Sequence, residues 1–319
     1  MRFAYDDDQL AFRDAVGDLL AKECTPAVVR AAWDAPAGAL DRRVWDQLAE
    51  MGALGVAASE EAGGLGFDEV ALVAILEEAG RAGLPHPIVE TAAVAAPLGV
   101  VDGRLVTASL AGGLAACAAD ADAIVVDHGG ALVLCARDEV QLADVDTVDR
   151  ARRAARVVAV ADGASVLTDD PAAVNAAFER AALGTAAVLV GLGQAMLDMT
   201  VDYVKDRHQF GVPIGSFQAV KHHLADALRE LAFARPAVQR AAWSMATGAP
   251  TASRDVSMAK AMASDAASFV GRQSLQCHGA IGYTVEHDLH LFLKRTWALA
   301  RAYGDTRYHR DRVGRAIGV

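Results

Sequence analysis

The chain has 319 residues, more than the roughly 250–300 that a single hydrophobic core serves, so two or three packed units are expected. Apolar residues make up 53% and charged residues 22%, which excludes a disordered chain. Lys and Arg number 30 against 41 Asp and Glu, a net charge of −11 that excludes non-specific nucleic-acid binding and leaves any nucleotide to a few placed residues.

Residues 1–100 read as a helical zone. It opens on an acidic stretch, residues 1–8, with no apolar signal-peptide core. Residues 8–20 set Leu10, Val16, Leu19 and Leu20 near one helical stripe. Residues 41–51 form a second short helix, ended by Gly52. Residues 60–66 are a glycine-rich loop. Asp68 opens a third helix that runs to about Ala79 and is stopped by Gly80.

The character changes over residues 101–170, where β-branched runs appear at 123–126, 131–134 and 156–160. Gly129 and Gly130 separate the first two, a hairpin signal. This β-unit is small for a self-sufficient ligand-binding domain. Residues 171–319 are helical again, with long segments at 172–205, 216 or 217–247, 251–278 and 287–303. In the second of these Val220, Leu224, Ala227, Leu228 and Leu231 fall at helical spacing. Four long helices with short links predict an up-and-down bundle. The most apolar run, residues 181–199, carries Thr185, Gln194 and Asp198 and falls short of the roughly 20 apolar residues of a membrane span, so it reads as a buried helix. No membrane partner is expected.

Cys24, Cys117, Cys135 and Cys277 show neither a metal-ligand spacing nor a disulfide framework, which fits a reduced, cytoplasmic setting. His208, His222 and His223 lack a carboxylate or thiolate at ligand spacing, so they read as structural or solvated and no metal is expected.

The segment Asp206-Arg207-His208-Gln209-Phe210-Gly211-Val212-Pro213-Ile214-Gly215-Ser216-Phe217-Gln218 resembles the most recognisable stretch of acyl-CoA dehydrogenases. Asp8-Gln9-Leu10-Ala11-Phe12-Arg13 resembles that family's opening helix, and residues 45–66 resemble its next helix and glycine loop. Gln276-Cys277-His278-Gly279-Ala280-Ile281-Gly282-Tyr283 resembles its flavin-binding turn. The matches cover most of the chain in the right order. The resemblance implies a mainly α fold: an N-terminal helical domain over residues 1–100, a reduced central β-domain over 101–170, and a four-helix bundle over 171–319 that contacts FAD and oligomerises. It also implies FAD contacts at Arg207, Phe210, Gln218, Gln276, Cys277, His278, Gly279, Ala280 and Thr306. The chemistry of these residues agrees. A guanidinium such as Arg207 makes fork-shaped bonds to phosphate oxygens. Gln218 stands at a helix start, where free N–H groups face anions. Gly211 permits a tight turn before Pro213. The Cys277 side chain itself reads as packing.

Two departures from the family stand out. Its reaction needs a carboxylate to take the proton α to the thioester, normally the Glu of a Tyr-Glu-Gly-Thr segment. Here that segment reads Ala302-Tyr303-Gly304-Asp305-Thr306, so Tyr303 or Gly304 occupies the Glu position. A tyrosine with its ordinary pKa of about 10 is protonated at neutral pH. Asp305 is the nearest substitute, one or two positions late and one methylene short. Some family members carry the base on the first bundle helix instead, at a position that falls on Ala181; Glu179 is two residues, or about 200° of helix, away. The second departure is the central zone, which lacks both a Trp and the Thr/Ser-rich flavin loop. Together they resemble the shortened, non-catalytic subunit of the heteromeric acyl-CoA dehydrogenases of actinobacterial steroid degradation. The resemblance then implies a full-length acyl-CoA dehydrogenase partner in a heterotetramer, a bulky acyl-CoA substrate, and an electron-transfer flavoprotein as acceptor. The alternatives are a self-sufficient dehydrogenase or flavin oxidase that uses Asp305 or Glu179 as base, and a flavin-free helical scaffold.

Overall fold

The computed structural model describes residues 5–161 and 163–319; Met1 to Ala4 of the acidic start lie outside the described residues. The first helix, α1 (Asp7–Glu23), is opened by a capping box in which Asp6 accepts from the Gln9 amide and Gln9 bonds back, and it buries Val16 and Leu20. A helix that the sequence reading did not separate, α2 (Pro26–Asp34), follows at once. Its start is set by Pro26, whose missing N–H costs nothing in a first helical turn. The helix expected from Asp41 begins two residues later as α3 (Arg43–Glu50), and Gly52 turns the chain away with φ 78°.

The next helix, α4 (Glu69–Arg81), is capped by Asp68 as expected, but Gly80 does not stop it. Gly80 lies inside the helix, where an added Cβ would sit 2.2 Å from the Val188 carbonyl oxygen. The partner helix is α5 (Pro171–Asp206), and its Gly191 faces α4 in the same way: a Cβ there would meet the Glu77 carbonyl at 2.0 Å. These glycines are present for backbone-to-backbone approach, which sequence alone does not distinguish from a stop signal.

The middle of the chain forms β1 (Val106–Ser109), β2 (Ala123–His128), β3 (Ala131–Ala136), β4 (Val140–Asp144), β5 (Ala155–Val160) and β6 (Ser165–Thr168). One sheet has the order β1-β2-β3-β6, and β4 and β5 pair separately as an antiparallel ribbon. Gly129 and Gly130, with φ 61° and 89°, make the β2–β3 turn, the left-handed pair that a two-residue hairpin requires.

The bundle contains α5, α6 (Gln218–Ala246), α7 (Ala252–His278) and α8 (Leu289–Leu299). A two-residue hairpin, β7 (His208–Gln209) with β8 (Val212–Pro213), joins α5 to α6. The fourth bundle helix ends at Leu299 and not at Tyr303, because a turn over residues 300–304 intervenes before a fifth helix, α9 (Thr306–Ile317). Asp305 caps α9 by accepting from the Tyr308 amide. By length and composition α5 could cross a membrane, but 78% of its most apolar window is buried inside the protein. It is the central helix of the core.

One hydrophobic core runs from α1, α3 and α4 through α5 to α8, so the first and last zones share their interior. The sheet is covered on its two faces by smaller clusters, one of which joins Ala177 and Ala181 of α5 to Val106, Ala108 and Val125. Arg295 of α8 locks the three zones together: Nε donates to Asp149 at 2.7 Å and Nη1 to the carbonyl oxygens of Gly83 and Leu84.

Candidate functional site

The implied site residues fall at two ends of α5. At its C-terminal end Arg207 caps the helix through its backbone N–H, which bonds the Tyr203 carbonyl, while its side chain makes no ion pair among the described residues. The chain then turns back through Phe210, which takes φ 54° and is 91% exposed, with Phe217 edge-on at 6.1 Å. Phe217 occupies the N-cap of α6 without a side-chain cap, which leaves the first amides beside Gln218 free of side-chain partners. The end of α7 lies alongside. Tyr203 stacks on His278 at 4.4 Å and donates its hydroxyl to the His278 carbonyl, and His223 bonds Gln273. Gly279 ends α7 with φ 63°, and a Cβ there would touch nothing within 4 Å. Gln276, Gly279 and Ala280 are exposed, whereas Cys277 and His278 are buried. Burial pushes the Cys277 thiol up, so it is a packing group. Thus Arg207, Phe210, Gln218 and the segment from Gln276 to Ala280 share one exposed, glycine-shaped end of the bundle.

Thr306 does not join them. It sits at the start of α9, where its hydroxyl donates to Asp265 at 3.0 Å. The three histidines do not gather either: His208 bonds the Asp206 carbonyl and His223 bonds Gln273, and no group of metal-ligating side chains occurs among the described residues.

At the other end of α5 a cavity of about 750 Å3 opens between the sheet region and the bundle. Its wall includes Leu110, Leu114, Val148, Phe178, Trp297 and Tyr303, with Arg152 and Arg301 as the cations. No Asp or Glu lines it among the described residues. Tyr303 takes φ 53°, and its phenol donates to Glu90 Oε1 at 2.9 Å; Arg152 donates to the same oxygen at 3.1 Å. Burial and then the Glu90 charge push the Tyr303 phenol well above its ordinary value, so it stays protonated.

The turn that carries Tyr303 is braced from behind. Lys260, fully buried, donates to Ser264 Oγ, the Ala300 carbonyl and the Gly304 carbonyl at 3.0–3.2 Å. Burial brings its pKa down to about 7. His309 Nε2 bonds the Tyr303 carbonyl at 2.9 Å. Gly304 has φ 96°, and a Cβ on it would lie 2.4 Å from Tyr308 and 2.8 Å from His309, so no carboxylate side chain fits there in this arrangement.

The two substitute carboxylates are engaged elsewhere. Asp305 caps α9. Glu179 is buried, accepts from Ser253 Oγ at 2.9 Å and pairs with Arg312. Neither lines the cavity. The sequence reading missed Glu90, Arg152 and Lys260. The one local signal for Glu90 was a lone acid inside the apolar run 88–96. Arg152 and Lys260 had none, because the Glu90 partner of Arg152 and the two carbonyl partners of Lys260 are 40 or more positions away.

Phe178 at the cavity and Tyr203 at the exposed end stand on the same helix, roughly 37 Å apart at about 1.5 Å per residue. One extended dinucleotide cannot occupy both ends of a single copy.

A helical unit, a small sheet and a helical bundle in this order, with a glycine-shaped basic turn and a separate acyl-sized cavity, define a flavin-dependent acyl-thioester dehydrogenase architecture. Two family models match: the N-terminal domain of acyl-CoA dehydrogenases over residues 6–101 and the C-terminal domain over residues 172–318. The chain belongs to the acyl-CoA dehydrogenase family, oxidoreductases that act on CH–CH bonds and use FAD as cofactor. It is 34% identical over 309 residues to acyl-CoA dehydrogenase IpdE2 of Mycobacterium tuberculosis, with 92% of each chain covered. Among solved structures it is similar to the Tcur3481-Tcur3483 steroid ACAD, with TM-score 0.85, 26% identity and 98% of each chain covered. The ChsE4-ChsE5 complex of Mycobacterium tuberculosis shares the fold, with TM-score 0.85 and 23% identity over all of this chain and 99% of that one.

Proposed function

We propose that this chain is the non-catalytic subunit of a heteromeric acyl-CoA dehydrogenase that acts on bulky, ring-bearing acyl-CoA thioesters of the steroid type. The observation that carries the reading is the missing base. Tyr303 or Gly304 stands where the family has its proton-abstracting carboxylate, Tyr303 is a protonated phenol bonded to Glu90, and the cavity wall offers no carboxylate among the described residues. A full-length partner supplies that Glu and the pocket for the reactive ring.

This chain's own part lies at the other end of α5. The residues there fit the diphosphate half of FAD: a guanidinium with no ion pair among the described residues, helix amides free of a side-chain cap, and a glycine turn with open space above it. Arg207, Gln218 and the backbone from Gln276 to Ala280 would hold it across the subunit interface, and Phe210 would cover it. Bound there, FAD supplies the hydride acceptor. This chain binds and orients the nucleotide tail and keeps it from dissociating. Two similar structures support the reading: the Tcur3481-Tcur3483 protein is a steroid ACAD, and the ChsE4-ChsE5 structure is a complex of two proteins. An electron-transfer flavoprotein takes the electrons in this scheme. The complex works in the reducing cytoplasm, where the four buried cysteines stay as thiols.

The test is to purify the chain alone and with its full-length partner, then measure FAD content and thioester oxidation. The expected result is no oxidation by the chain alone, one FAD per pair of unlike chains, and faster turnover of steroid-type than of straight-chain acyl-CoA. Stoichiometric FAD and normal turnover in the isolated chain would reject the proposal.

A further inference from the structure

We propose that one structural water is held inside the chain between His86 and Glu90, where it carries a hydrogen-bond relay from the N-terminal zone to Tyr303. A small cavity of about 30 Å3, separate from the large one, is walled by His86, Glu90, Cys117, Arg152 and Arg295 among apolar neighbours. Every residue of its wall except Arg152 is buried. Roughly 10–15 Å3 is enough for one water, so the space suits a water and excludes an organic molecule.

Two acceptors on this wall lack a partner. The His86 ring stacks on Trp45 and donates its Nε2–H to the Asp41 carbonyl at 2.8 Å, so Nδ1 carries the lone pair; that buried atom has no hydrogen-bond partner among the described residues. Burial brings the pKa of His86 down to about 4, so the ring is neutral. Glu90 is 3% exposed; its Oε1 accepts from both Tyr303 and Arg152, and its Oε2 accepts from no group among the described residues. Buried acceptors left unanswered are costly. Cys117 and Arg295 cannot serve them, since the thiol reaches the Pro85 carbonyl and the Arg295 fork is spent on Asp149, Gly83 and Leu84.

Charge selects the occupant. The Arg152 guanidinium repels a cation, and the Glu90 carboxylate repels an anion. A water donates one proton to His86 Nδ1 and one to Glu90 Oε2, and accepts from the N–H groups that Arg152 does not spend on Glu90, within the two to four bonds usual for a buried water. The relay then runs from the Asp41 carbonyl through His86, the water and Glu90 to the Tyr303 hydroxyl. His86, which lies outside the wall of the large cavity, thereby fixes how the Glu90 carboxylate faces Tyr303.

This inference needs neither FAD nor a partner and goes beyond the proposed function. It is tested by a crystal structure of the full chain, at a resolution that shows ordered water. One density peak is expected within hydrogen-bond distance of both His86 Nδ1 and Glu90 Oε2. His86→Phe, which keeps a ring against Trp45 and removes both nitrogens, should lose that peak. The relay is read by denaturant unfolding of His86→Phe, Tyr303→Phe and the double variant. The change in the unfolding constant of the double variant should differ about threefold or more from the product of the two single changes, as expected of residues in one hydrogen-bond network. A space without the peak, a peak bonded to only one of the two acceptors, a peak retained in His86→Phe, or changes that simply multiply would each overturn the inference. Where His86→Phe does not fold, the unaltered chain decides by its peak alone. FAD stoichiometry is unaffected by any of these results, so this failure and that of the proposed function are told apart.

Discussion

The two ends of α5 have kept opposite things. The C-terminal end presents unpaired or exposed groups: Arg207, Phe210, Gln218 and Gln276 have few protein partners and face outward. At the N-terminal end nearly every polar group is used up inside the chain. Tyr303, Glu90, Arg152, Lys260 and His309 satisfy one another or the backbone. A surface that waits for a ligand looks underpaired; around the cavity, most of the groups at the Tyr303 turn are held by bonds within the chain. The contrast supports the division of labour better than either end does alone.

The comparison breaks first at the crossing of α4 over α5, midway between the two ends. Gly191→Ala should cost about 3 kcal/mol or more, because its Cβ would meet the Glu77 carbonyl at 2.0 Å and must push α4 off α5. Thermal unfolding of the variant measures this.

Acid should loosen the cavity end. Burial, with the Lys260 charge adding to it, holds the pKa of His309 down to about 4. The unfolded chain therefore takes up this proton first, near pH 6.5, and folded stability is lost as the pH falls from about 6.5 toward about 4. The share due to His309 should be about 3 kcal/mol, and His309→Gln should flatten the slope of stability against pH across that window.

At the exposed end, Arg207→Ala in the assembled complex should leave folding intact and raise the dissociation constant for FAD about tenfold, the loss of one charge-assisted phosphate contact. Retained flavin in the variant, seen in the visible spectrum, would remove the cradle from the account.

The smallest effect sharpens the contrast. Tyr303→Phe removes one donor from Glu90 and should cost about 1 kcal/mol of stability while the turnover of the complex stays the same. A large drop in turnover would make Tyr303 a working residue.

The sequence was most informative where a local rule determines local structure. The hairpin at Gly129 and Gly130, the cap at Asp68 and the helical stripe of α6, apart from Leu228, which is exposed, follow from spacing within a few residues. The exposed end of α5 was legible for a similar reason, since two contiguous motifs carry most of it. Gly80 misled because its role is set by Val188 on another helix. The cavity end was legible only as a loss. Arg152, Glu90 and Tyr303 are 62 to 213 positions apart in their bonded pairs, and no periodicity links them. Thr306 was placed with the nucleotide residues by resemblance, but it starts α9 and its hydroxyl is bonded to Asp265 of α7.

The interior that α1, α3 and α4 share with α5 to α8 has a consequence for how this polypeptide can change length. Fragments cut on either side of the sheet would each expose half of a single oily contact and would aggregate before they folded. The strands are different: they rest on satellite clusters of their own, and most of β5 and β6 meets solvent. Deletions are therefore absorbed in the middle of the chain, and a gene can shed its tricyclic-head pocket there while the scaffold on both flanks stays whole.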